Sequence, residues 1–106
     1  MKQYQVRISR TALGDMEEIY NYIAGHLQEP ETAMRQYDRI ADAIQSLGTL
    51  PERCPLLDCE PERSQRLRRL LVDHYAVFYV VGEDTVSVAR VLYSSSDIVY
   101  RLRNMK

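Results

Sequence analysis

Residues 66–93 read RLRRLLVDHYAVFYVVGEDTVSVARVLY, and this stretch decides the fold. Valine, leucine and tyrosine dominate residues 66–72, 75–81 and 85–93. Two polar breaks separate these runs, Asp73 with His74 and then Gly82, Glu83 and Asp84. β-Branched and aromatic residues bounded by turn formers read as strands. Breaks of two or three residues leave no room for a crossover helix, so these strands pair antiparallel.

Upstream of the strands the apolar period changes. Residues 3–9 alternate, with Tyr4, Val6 and Ile8 on one side and Gln3, Gln5, Arg7 and Ser9 on the other, which predicts a half-buried strand. Ala12, Met16, Ile19, Ile23 and Leu27 then recur at steps of three and four, the spacing of an amphipathic helix that ends near residues 25–28. Asp15, Glu17 and Glu18 near its start suit the positive end of the helix dipole. Pro30 fits the first turn of a second helix, whose stripe is Ala33, Tyr37, Ile40, Ile44 and Leu47 and whose stop is Gly48. The short connection predicts an antiparallel helical hairpin. Pro51, Pro55 and Pro61 mark residues 49–62 as a loop, and Ser94, Ser95, Ser96 and Asp97 are N-cap candidates for a short final helix. The expected class is α+β, in the order β-α-α-β-β-β(-α), with the helical hairpin on one face of a mainly antiparallel sheet.

Composition bounds the function. The chain has 106 residues, 45% of them hydrophobic and 27% charged, which fits one globular domain over residues 1–106 and excludes a disordered chain. No apolar run approaches the length of a membrane span, and the polar first ten residues hold no signal-peptide core; two cysteines are too few for a disulfide scaffold, so a reducing cytoplasm is expected. Fourteen Lys and Arg against fifteen Asp and Glu give a net charge of −1, without the basic balance common in nucleic-acid binders. The charges are unevenly placed, however. Arg63, Arg66, Arg68 and Arg69 fall within seven residues, and Arg101, Arg103 and Lys106 end the chain. Such a group either holds an acidic partner or phosphate oxygens, or is a solvated edge strand whose charges discourage aggregation.

Other chemistry is poorly provided for. Cys54 and Cys59 have no second Cys/His pair to complete a zinc site, and His26 and His74 lie on different elements. The three serines at 94–96 form no nucleophile elbow, and no glycine-rich phosphate cradle is present, so no metal or cofactor is expected. Eight tyrosines against one phenylalanine are unusual. Tyr20, Tyr22 and Tyr37 read as core and rim packing, whereas Tyr100 lies beside Arg101, where it could stack on a base or move a proton. Metal-free RNA cleavage needs a base, an acid and cations around the phosphate; Arg68 and Arg69 supply only the last.

The run from Arg68 to Tyr79 resembles the R-x-L-x-V-x-x-Y-x-V-F-Y core of the RelE/ParE superfamily of bacterial toxins. Residues 82–86 and 89–93 are similar to the family's last hairpin, residues 12–23 to its first helix, and residues 47–51 to the end of its second. The resemblance implies the toxin of a type II toxin–antitoxin pair, suppressed by an antitoxin that wraps around it, in a homodimer or a toxin–antitoxin hetero-oligomer without a membrane partner. Such toxins act either on DNA gyrase (ParE-like) or as ribosome-dependent mRNA endonucleases (RelE-like). Two departures argue against a competent nuclease, although many ParE-like members also carry a Gly-Arg-Arg-Asp stretch after the last strand, of which only Asp97 is present here. Ala76 follows Tyr75 where RelE-like nucleases usually carry arginine, and Ser94, Ser95 and Ser96 stand where they commonly have another basic residue. The expected mode is therefore gyrase binding through Arg66, Arg68, Arg69, Arg90, Arg101 and Arg103. The alternative is an mRNA interferase with Arg69 and Arg68 on the phosphate and Tyr100 assisting proton transfer; a third reading is an antitoxin-binding member without toxicity.

Overall fold

The computed structural model describes residues 2–57 and 65–94. Its elements are β1 (Gln5–Ile8), α1 (Arg10–Asn21), a π-helical turn (Tyr22–His26), α2 (Pro30–Ser46), a 3-10 turn (Pro51–Arg53), β2 (Arg68–Val72), β3 (Tyr75–Val81) and β4 (Thr85–Tyr93). The sheet runs in the order β1-β4-β3-β2. β2–β3 and β3–β4 are antiparallel, as the two short breaks require, but β1 lies parallel to β4. The long connection that parallel pairing needs is supplied by the helices and the β2–β3 hairpin between them.

Ser9 turns the chain from strand to helix. Its backbone N–H donates to the Val88 carbonyl at 3.0 Å, and its Oγ accepts from the Ala12 N–H at 3.0 Å as the cap of α1. The helix continues through the π-helical turn to His26, and Gln28, at φ 57°, reverses the chain into Pro30. α2 starts at that proline, as its sequence predicts, and ends at Ser46. Gly48 eases a close approach. The Tyr4 N–H donates to its carbonyl at 2.8 Å, and a Cβ there would stand 3.3 Å from the Tyr4 oxygen. The helix expected after Ser94 lies outside the described residues.

Both faces of the sheet are covered, which explains why β3 reads as a continuous apolar run. Val72, Val77, Tyr79, Val86, Val88 and Val91 pack against Ala12, Met16, Ile40, Ile44 and Leu47 of the helical layer. On the opposite face Ala76, Phe78 and Leu92 form a second cluster with Leu67, joined by Leu57, Val80 and Ala89. A bulge at Ala89 makes both sets fit, since Phe78 pairs with Arg90 while Tyr79 pairs with Val88. The extra residue shifts the alternation of β4, so that Val86, Val88 and Val91 all face the helices.

Among the described residues Tyr79 is the largest fully buried side chain, and its hydroxyl donates to the Pro51 carbonyl at 2.6 Å. Burial pushes this phenol well above the usual tyrosine range. The bond pins the 3-10 turn, entered through Leu50 at φ 51°, onto the sheet. Tyr79→Phe leaves the carbonyl without its donor, and we expect a loss of about 1–2 kcal/mol. In thermal denaturation this reads as a melting temperature lowered by roughly 4–12 °C with unchanged far-UV circular dichroism.

Candidate functional site

The arginines of β2 divide by strand alternation. Leu70 and Val72 face the helices, and Arg68 shares that side; Arg69 and Leu71 point to the other. Arg68 is committed to the fold, with its side chain only 12% exposed. Its Nη1 donates to the Cys54 carbonyl at 2.5 Å, and Nη2 lies 3.6 Å from a Glu52 carboxylate oxygen. Together with the Leu56–Arg68 bridge and the Leu57 N–H on the Leu67 carbonyl, this straps residues 51–57 along β2. Arg69 is exposed opposite Phe78. Arg66 is exposed and held at φ 58°.

Arg90 occupies the same cross-strand row as Arg69, with Phe78 between them. Two strand spacings put their backbones about 10 Å apart. Its guanidinium is nevertheless engaged elsewhere. Nε and Nη2 donate to the two Asp15 carboxylate oxygens at 2.7 and 2.9 Å, and the Val91 N–H donates to Asp15 at 3.0 Å. Asp15, whose side chain is 8% exposed, thus does not serve the α1 dipole as its position in the sequence suggests; it closes the edge of β4 where β1 has ended. The hydrogen bonds that Arg90 donates to Asp15 raise its guanidinium further above its ordinary value against the opposing effect of burial, with the charges of Asp15 and Glu18 adding to the rise. Tyr100, Arg101 and Arg103 lie outside the described residues. The structure therefore leaves Arg66 and Arg69 as exposed cations of the expected contact set, and withdraws Arg68 and Arg90 into structural bonds.

A second feature escapes sequence reasoning. Between α1, the π-helical turn, the start of α2 and the ends of β3 and β4 lies an open groove of about 790 Å³. Its apolar lining includes Ile19, Tyr22, Ile23, Leu27, Tyr75 and Tyr93. The Tyr75 and Tyr93 rings meet edge-on at 5.7 Å, and Tyr22 stacks on His26 at 5.0 Å. Burial, with Tyr93 and Tyr22 nearby, raises the Tyr75 phenol. Asp15, Glu18 and Glu29 line the groove as well, against Arg90 and His74. The excess of tyrosine over phenylalanine was the available sequence signal, because tyrosine suits half-wet surfaces. Nothing in the sequence says that residues 22 and 93 meet. Among the described residues no group of three or more His, Cys, Asp or Glu is arranged to hold a metal, and no helix is long and apolar enough to cross a membrane.

A helical hairpin on a four-stranded sheet in the order 1-4-3-2 is the architecture of the RelE/ParE superfamily. A family model described as "ParE toxin of type II toxin-antitoxin system, parDE" matches residues 6–98, and the chain belongs to that family. Among solved structures it is similar to a chain of the chromosomal ParDE toxin–antitoxin system from P. aeruginosa, at TM-score 0.74 and 15% identity over 88% of this chain and 98% of that one. A chain of the RelBE2 toxin–antitoxin complex from Mycobacterium tuberculosis is similar at TM-score 0.61 and 20% identity, over 86% of this chain and 98% of that one. At these identities the likeness is one of fold. No curated protein sequence matches the chain.

The Asp15 contact has a measurable consequence. Asp15→Ala strands the Arg90 guanidinium and the Val91 N–H, and we expect about 3 kcal/mol of destabilisation in urea unfolding. Removing both partners in Asp15→Ala/Arg90→Ala costs less than the sum of the single losses, giving a coupling of about 1–3 kcal/mol in a double-mutant cycle.

Proposed function

We propose that the chain is the toxin of a type II toxin–antitoxin pair, acting in the cytoplasm, held inactive by a cognate antitoxin, and arresting growth by binding DNA gyrase. The family match over residues 6–98 supports the toxin reading, and the similar solved chains come from a ParDE system and a toxin–antitoxin complex. The choice of a binding over a cleaving mode rests on one observation, the withdrawal of Arg68. Its guanidinium is spent on Cys54 and Glu52, so the outer face of β2 presents a single cation, Arg69, beside Leu71. His74 and the stacked Tyr22–His26 pair belong to the helix side, with the sheet between them and Arg69. A phosphodiester bond at Arg69 thus meets a cation, with no histidine acid or base beside it among the described residues. Exposed Arg69, with Arg66 and Leu71 on the same edge, suits contact with a protein surface.

Supercoiling of relaxed plasmid by purified gyrase, with the toxin added, tests this reading. We expect inhibition by the wild type. Arg69→Ala should lose at least about tenfold in potency at an unchanged melting temperature, the size of a lost interface arginine. Arg68→Ala should instead lower the melting temperature, by leaving the strap unfastened. Growth arrest with unaffected gyrase and cut translated mRNA overturns the gyrase target in favour of an interferase. Arrest by neither route leaves an antitoxin-binding member without toxicity.

A further inference from the structure

The solvent side of α1 carries a charge pattern that the chain itself does not use. Ala12, Asp15 and Met16 turn inward, so Arg10, Gly14, Glu17 and Asn21, at steps of four, three and four, form the outer stripe, with Leu13 at its flank. Arg10 and Glu17 stand about 10 Å apart along the axis, and the positions three and four residues from each hold no opposite charge. The ion pairs among the described residues are those of Arg39, Arg68 and Arg90, and neither Arg10 nor Glu17 enters one. Beside the stripe lies an apolar patch. Leu13 and Met34 are 42% and 50% exposed, and Glu17, Tyr20, Met34 and Tyr37 line a hollow of about 320 Å³ along the α1–α2 seam. Gly14 sits in mid-helix, where glycine is a poor helix former, although a Cβ there would meet nothing in its own chain.

We propose that this face binds a second copy of the chain, the two α1 helices crossing antiparallel about a two-fold axis between Leu13 and Gly14. In that register Arg10 meets Glu17 of the second copy while Glu17 meets its Arg10, and Leu13 seats in the notch left by the other copy's Gly14, again twice. The order basic, apolar, small, acidic along one stripe is its own complement when reversed, as an isologous interface requires. The missing Cβ at the crossing brings the helix axes toward the short end of the usual spacing of about 8–10 Å. Two crossing helices alone are too narrow for a stable dimer, which buries roughly 1,200 Å² or more, and the adjoining Tyr20, Met34 and Tyr37 supply further apolar area. A partner of uniform charge is a poorer occupant, because it sets like charge against either Arg10 or Glu17. The face lies on α1 outside the groove and away from edge strand β2, so self-association leaves both of those surfaces open.

Sedimentation velocity of the purified full-length chain, over a concentration series, tests this. In the wild type we expect a monomer–dimer equilibrium that weakens as salt rises. Arg10→Glu and Glu17→Arg should each raise the dimer dissociation constant at least about tenfold, because each sets like charges together at two symmetric points. An equimolar mixture of the two variants should recover the wild-type constant, since every cross-copy pair is then opposite in charge; the chain carrying both changes should do the same. Gly14→Gln, a better helix former with a side chain that holds the helices apart, should also weaken the dimer at least about tenfold. Arg10 and Glu17 are exposed, so melting temperatures serve as the folding control. A wild type that stays monomeric up to about 1 mM overturns the proposal. A dimer that survives both folded single reversals at wild-type affinity lies on another surface and overturns it as well. Failure of the mixture and of the doubly changed chain to recover affinity overturns the antiparallel register on which the contact is built.

Discussion

The carboxylate of Asp15 is where the helical layer and the sheet are joined in register. β1 pairs with β4 only as far as Val88. Beyond it the edge of β4 needs partners for its backbone, because a buried N–H without an acceptor costs as much as a lost hydrogen bond. α1 supplies them. The Ser9 Oγ donates to the Ala89 carbonyl at 3.0 Å, and Asp15 accepts from the Val91 N–H. Arg90 then neutralises the carboxylate that this arrangement buries. The first helix thus serves as a continuation of the first strand.

The bulge at Ala89 and the groove both follow from this. A strand that kept its alternation would place Arg90, rather than Val91, among the helix-facing valines; the extra residue prevents it and leaves the arginine at the edge beside α1. The same anchoring holds α1 against β4 while the π-helical turn carries the chain on to α2. Tyr22, Ile23 and Leu27 therefore face the ends of β3 and β4 across an opening. At the other end of the sheet the fixing is done by hydrogen bonds to carbonyls, Tyr79 to Pro51 and Arg68 to Cys54. Asp73, at φ 54° in the β2–β3 turn, is tied to α2 by Arg39 at 2.7 Å, and that bond, with a second from Gln36, holds its carboxyl below the usual range.

Periodicity made the elements legible. The stripes of α1 and α2, the Pro30 start, the Gly48 stop and the two tight breaks of the sheet are local signals, and each governs a local outcome. The partnership of Asp15 with Arg90 spans 75 residues and has no local trace. In the sequence Asp15 is one of three acids at a helix start, and dipole stabilisation is a sufficient account of it until the strand edge is seen. The division of Arg68 from Arg69 was open to reading, because neighbours on a strand point to opposite faces. A dense run of one charge hides that alternation. Parallel pairing of β1 was not legible, since residues 3–9 alternate in the same way for either direction. The roles expected of Tyr100, Arg101 and Arg103 fall outside the described residues.

Near-neutral net charge conceals a groove rim and a strand edge of unlike charge. The groove presents Glu18 and Glu29 from the helical layer, while Arg69 leaves the sheet on the opposite face at edge strand β2. A partner seated only in the groove therefore does not reach Arg69. To cover both, a chain must continue past the Asp73 turn and around the edge of β2, changing its charge from basic to acidic as it passes. Such a partner matches two surfaces of opposite sign in a fixed order along its sequence. That is a stronger requirement than complementarity to either surface alone, because swapping its two charged stretches places like charge on like at both ends.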